Sequence, residues 1–223
     1  MNRNIHIHYI YTIALLLLMG AATPTFAQTI KGNVYGGGNL SQVVGSTTIN
    51  VKSGSINSET ADDGNIYGGG YGASAVLTGN TTINVSGGTI AKDVYGGGAL
   101  ANVTGNTEVN IQGGTVTQDV YGGGALANVS ANTSVNLTGG TIRDTYGGGL
   151  GQLANTGAGK EAVAAIVNGN ATVQLGSDDG TIASKVLGSI FGANNVNGTP
   201  QGHVFVHVLK TIARDGQGDA EYD

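Results

Sequence analysis

The chain has 223 residues, with 41 Gly, 2 Pro, no Cys, no Trp and only 10% charged side chains. Gly without a strict third-residue period and almost no Pro exclude collagen, and low charge beside abundant Val, Ile, Thr and Asn is unlike a disordered segment. The formal net charge is −5, and no Lys/Arg cluster offers a phosphate-tracking surface, which excludes nucleic acid as a partner.

The first element is a secretory signal over 1–27. Arg3 supplies a positive start, Ala14 to Met19 an apolar centre, and Thr25-Phe26-Ala27 a small-residue cleavage site before Gln28. The apolar run from Tyr9 to Ala22 is too short for a membrane anchor, so the mature form is expected to have no membrane span. What remains has 8 basic against 14 acidic residues. With no Cys, an exported chain must be held by burial rather than by disulfides.

From Asn33 onward one phrase recurs: Asn33-Val-Tyr-Gly-Gly-Gly38, Asn65-Ile-Tyr-Gly-Gly-Gly70, then copies at Asp93, Asp119 and Asp144 and a worn copy at Ser189-Ile-Phe-Gly-Ala-Asn194. A second phrase follows each, from Thr48-Ile-Asn-Val51 to Phe205-Val-His-Val208, and a third, Gly-Gly-Thr with Ile or Val, closes units at Ile90, Val116 and Ile142. Apolar residues within a phrase alternate with polar ones, the period of a half-buried strand. Repeated units of this length stack as a solenoid. The expected fold is all-β, a right-handed parallel β-helix of about six coils over 28–213, with three short strands per coil and Gly-rich corners. A left-handed hexapeptide helix and a Gly-rich β-sandwich are the competing folds. Expected inward ladders are Ile49/Ile83/Val109/Val135/Val173/Val206, Val51/Val85/Ile111/Leu137/Leu175/Val208 and Ile56/Ile90/Val116/Ile142/Ile182. Two insertions break the pattern: the acidic stretch 57–64 and the long corner 150–170. A polar acidic tail, 214–223, is expected to shield the open edge of the last coil and limit self-association there.

The Val-Tyr-Gly-Gly-Gly units, with the closing Ser189-Ile-Phe-Gly-Ala-Asn-Asn-Val-Asn-Gly-Thr-Pro-Gln-Gly202, resemble the β-helical repeats of large Gram-negative cell-surface proteins. These are similar to adhesin and autotransporter passengers with pectate-lyase-like coils. The resemblance runs from Ile30 to about Leu209. It implies secretion or display on the outer cell surface, and adhesion to host or matrix glycans or proteins, by a whole protein or by a fragment of a larger one.

The chemistry-bearing residues point away from catalysis. Asp93, Asp119 and Asp144 continue the row begun by Asn33 and Asn65; they either open each turn, as Asp and Asn do, or share a hard cation such as Ca²⁺. The first reading is favoured, because the position repeats with the unit whereas a catalytic site is singular. His203 and His207 lie too far apart along a strand to hold one metal. Thr156-Gly-Ala-Gly-Lys160 lacks the first Gly and the hydroxyl residue of a phosphate loop. No catalytic residue, metal ligand or cofactor is therefore assigned. The Asn row, Asn50/Asn84/Asn110/Asn136, should face out and bond to itself along the stack. The Tyr row, Tyr35/Tyr67/Tyr95/Tyr121/Tyr146, packs inward beside the Gly triplets, or faces out as a platform for ligand. The expected function is a non-enzymatic, secreted or surface-exposed, adhesin-like repeat protein. The alternative is a carbohydrate-binding or degraded polysaccharide-lyase-like module.

Overall fold

The structure is a computed structural model that describes residues 28–177, 184–209, 211–212 and 221–222. The expected signal segment 1–27, Gly180-Thr181-Ile182 and most of the acidic tail lie outside the described residues. The described part is all-β, interrupted by a single 3-10 turn at Thr156–Ala158.

The repeat phrases become strands in chain order. The first unit gives β1 (Thr29–Lys31), β2 (Val34–Tyr35), β3 (Thr47–Val51) and β4 (Ser55–Asn57). The next three give β5 (Ile66–Tyr67) with β6 (Thr81–Ile90), β7 (Val94–Tyr95) with β8 (Thr107–Val116), and β9 (Val120–Tyr121) with β10 (Thr133–Ile142). After these come β11 (Thr145–Tyr146), β12 (Ala171–Leu175), β13 (Lys185–Val186), β14 (Ile190–Phe191) and β15 (Val204–Val208). Equivalent strands of successive units pair in parallel. One sheet runs β2-β5-β7-β9-β11-β14, and a larger one passes through β4, β6, β8, β10, β12 and β15. Parallel pairing between neighbouring repeats is the arrangement of a β-solenoid. Of the expected tail, Glu221–Tyr222 (β17) pairs antiparallel with Thr211–Ile212 (β16).

Register follows the sequence alternation. Ile49, Ile83, Val109, Val135, Val173 and Val206 are successive partners, as are Val51, Val85, Ile111, Leu137, Leu175 and Val208. The side chains of Ile83, Val85, Val109, Ile111, Val135 and Leu137 are fully buried. The third ladder differs from expectation at both ends. Ile30 precedes Ile56, and Ile142 is followed by Val186. The expected follower, Ile182, lies outside the described residues.

The second and third phrases are not separate strands in the central coils. They fuse into the ten-residue strands β6, β8 and β10, and the Gly-Gly pair forms a register shift within them. Gly88 adopts φ 85°, a left-handed conformation open to Gly and strained for other residues. The Gly triplets have a different cause. None of their residues has positive φ. A Cβ on Gly96 would collide with the carbonyl oxygen of Gly122 in the next coil. These Gly residues let neighbouring backbones approach.

Two features of the interior escape the apolar pattern. Thr81, Thr107 and Thr133 are buried, and each hydroxyl donates across the coil to a Gly carbonyl, at 2.6, 2.5 and 2.6 Å. This satisfies a polar group that would otherwise be costly inside the core. Leu77, Val103 and Val129 form a separate buried cluster at a further corner, joined by parallel bridges.

Candidate functional site

The two-residue strands β5, β7 and β9 divide their side chains between two environments. Ile66, Val94 and Val120 belong to the main core, whereas Tyr67, Tyr95, Tyr121 and Tyr146 form a second cluster with Ala99 and Ala125. The Tyr row thus leaves the coil interior by strand alternation and is still buried, because the corner residues fold over it. Successive rings from Tyr35 through Tyr146 to Phe191 stack at 4.7–5.0 Å between centroids with interplanar angles of 4–9°. Each interior ring has a neighbour on both faces, so Tyr67, Tyr95, Tyr121 and Tyr146 present edges rather than faces.

Beside the rings runs the Asn/Asp row. The Oδ1 atoms of Asn33, Asn65, Asp93, Asp119 and Asp144 accept from the backbone N–H of the equivalent residue one coil on, at 2.9, 3.1, 2.8, 3.3 and 2.6 Å. The Tyr95 and Tyr121 hydroxyls donate to Asp93 and Asp119 at 3.0 and 3.2 Å, and Asn195 donates to the Tyr121 hydroxyl at 2.8 Å. Arg143 grips Asp119 with two hydrogen bonds of 2.8 and 2.7 Å and also faces Asp144 at 3.5 Å. The carboxylates are thus relieved by backbone donors and a guanidinium. Burial pushes the Asp93 carboxyl up from its ordinary value, opposed by the hydrogen bonds from Asp119 N–H and the Tyr95 hydroxyl. Burial also pushes the Tyr95 and Tyr121 hydroxyls well up. Pairing with Asp119 raises Arg143.

The outer Asn row behaves in the same way. Asn84 donates to Asn50, Asn110 to Asn84 and Asn136 to Asn110, at 2.9, 2.9 and 2.8 Å. A further Asn row, Asn80, Asn106, Asn132 and Asn170, accepts coil to coil from backbone N–H groups at 2.8–3.0 Å. Among the described residues no group of three His, Cys, Asp or Glu is placed to hold a metal ion.

No family model, curated protein or solved structure matches this chain. Both insertions overhang the Tyr face. The acidic stretch is pinned there because Asn33 and Asn65 each donate to the Asp62 carbonyl at 3.0 Å. The long corner forms an arm closed by antiparallel bridges between Gln152 and Val163 and between Asn155 and Lys160. Thr156–Ala158 is the 3-10 turn at its tip, capped by Asn155, so the Gly-containing run there cradles its own backbone. Between loop, arm and rings lie two hollows, of about 740 and about 480 Å³. Tyr35 and Tyr67 of the expected row line the first; Tyr67 and Tyr95 line the second; Tyr121 and Tyr146 line neither. Tyr71, Arg143 and Asn195 were not among the expected site residues. Tyr71 carried a usable signal, since it breaks the repeat immediately after a Gly triplet.

Proposed function

We propose that the chain is an exported, non-enzymatic, adhesin-like repeat rod displayed at the cell surface, a right-handed coil of about six turns, acting as a whole or as part of a larger surface protein. One observation carries this reading. The repeated polar rows (Asn/Asp beside the rings, the two Asn rows, the inward Thr row) are engaged in coil-to-coil or cross-coil hydrogen bonds. A chain that commits its repeated side chains to its own stack is built as a scaffold, and chemical variety then resides in the two insertions it carries. The carbohydrate-binding alternative, through the Tyr row, is the second reading. Stacking covers the interior ring faces, so a sugar would meet the row only at the end of the stack, at half-buried Tyr35.

The partners under this reading are host or matrix glycans or proteins, and copies of the chain itself. Strand β15 is exposed along its whole length, with Val206 at 45% and Val208 at 56%. An uncovered strand is a template for another. Light scattering should rise with protein concentration and fall back to the monomer value in Val206→Lys; no concentration dependence in the parent removes self-association. The functional reading is tested on intact producing cells. Externally added protease should digest the protein, and its removal should reduce adherence to matrix-coated surfaces. Protein that is protected until the cells are lysed, or adherence that does not change, overturns it.

A further inference from the structure

Two departures from the repeat converge on one cleft. The position after the Gly triplet holds Asn39, Ala99, Ala125 and Leu150 in four units, and Tyr71 in the other. The acidic stretch 57–64 likewise belongs to a single unit. In the fold, Tyr71 stands edge-on to Tyr35, with ring centroids 5.5 Å apart and planes at 68°, and it is 45% exposed. Asp62, Asp63 and Leu100, the last 42% exposed, line the same cleft. The cleft is open to solvent, and its volume of about 740 Å³ lies in the range of small-molecule sites. A ladder position recurs in every coil; among the described residues, Tyr71 beside Asp62 and Asp63 breaks that recurrence.

The electrostatics define the ligand. Asp63 accepts from the Thr60 hydroxyl at 2.8 Å, and the Asp62 carboxylate enters no ion pair among the described residues. Lys31 is engaged with Glu59 at 2.8 Å, while Lys92 and Lys160 line the neighbouring hollow. Burial first, then neighbours that include Asp63, push the Tyr35 hydroxyl up; Asp62 is among the charges that do the same to Tyr67. Asp62 and Asp63 line the same cleft as the Tyr35, Tyr67 and Tyr71 rings. Aromatic faces attract cations, and adjacent full negative charges reinforce that attraction where apolar walls displace water.

We propose that this cleft binds an organic cation, an ammonium or guanidinium group carried on a short apolar body. The cation sits against Tyr71 and Tyr35 with Asp62 and Asp63 as counter-charges, and the apolar body lies along Leu100 and the edge of Tyr67. The proposal stands independently of the adhesin reading, since a scaffold with any function could carry the cleft.

The test is titration of the purified protein, followed by NMR of its Tyr side chains. Three probes are used: butyltrimethylammonium for a free small-molecule ammonium, N-acetylarginine amide for a protein side chain, and methyl β-glucoside as a neutral ring. At least one cation should bind saturably and the glucoside should not; the tighter cation identifies the source. Tyr71→Ala should weaken cation binding at least tenfold. Asp62→Asn should weaken it several-fold and flatten its dependence on salt. Both side chains are exposed, so the melting temperature of each variant should stay at the parent value and separate loss of the site from loss of the fold. Saturable glucoside binding with no cation binding, no binding of either cation, or cation binding unchanged in Tyr71→Ala would overturn the proposal.

Discussion

Val109 and Asn110 are neighbours with opposite surroundings. Val109 is fully buried between Ile83 and Val135, while Asn110 is half-buried and donates to Asn84. Val109→Asp places a carboxyl where it has no partner, at a cost of about 3–5 kcal/mol. Asn110→Asp loses one amide donor and keeps the acceptor that serves Asn136, at a cost of about 1 kcal/mol. Thermal melts of the two variants should differ accordingly, and equal shifts would mean that the faces are exchanged. Asp93 gives a pH-dependent counterpart. Its folded pKa is raised by burial, so the folded state favours the protonated acid. Stability from this group is complete below the unfolded value of about 4 and is lost as pH rises through the folded value. Asn33 and Asn65 show that an amide fills the same role in the row. Asp93→Asn should therefore melt near the parent below pH 4 and above it at pH 7. A gap that shrinks as pH rises would show that Asp119 N–H, the Tyr95 hydroxyl and Arg143 outweigh burial.

The strands depend on the glycines between them. A Cβ on Gly96 meets the backbone of Gly122 and the Thr107 side chain, neither of which can retreat without opening the ladder. Gly96→Ala should cost at least about 2 kcal/mol, as overpacking does. Gly157→Ala, in the arm, finds its nearest neighbour atom at 3.6 Å and should stay within about 0.5 kcal/mol. Comparable losses in the two melts would remove close approach as the reason for the triplets. At this scale much was legible from sequence. Alternation in Ile49-Asn50-Val51 and its copies gave two ladders with their register, because a slip of one residue would turn the apolar side chains outward. Past Ile142 the third ladder continues at Val186, which carries no Gly-Gly mark in the sequence; Ile182 lies outside the described residues. The side of the Tyr row could not be read because a two-residue strand after a corner has no parity of its own. The answer came from Ala99 and Ala125 packing over the rings. Asn102 and Asn106 accept from the backbone N–H groups of Asn128 and Asn132 in the next coil, a role set by stacking and invisible within one unit.

Taken whole, the chain is a stack in which each interior coil is held by its neighbours, so coils of the same phase are interchangeable. Asp93 and Asp119 occupy the same place in successive coils, 26 residues apart. Excising residues 94–119 joins Asp93 to Val120, restores the Asp-Val-Tyr phrase and brings Asp93 to the position that faces Arg143. The deletion removes Ala99 and Leu100 from the candidate cleft, and Ala125 and Leu126 of the coil that moves up should take their places. The deletion should fold, keep the same circular dichroism per residue and melt in one transition at a lower temperature, because stability accrues by nearest-neighbour stacking. Excising residues 94–106 removes about half a coil, including β7, and leaves the two flanking parts of the stack out of phase at the junction, so it should cost far more stability than the whole-coil deletion and split the melt. A whole-coil deletion that is as destabilised as the half-coil deletion would contradict the stacked-coil account.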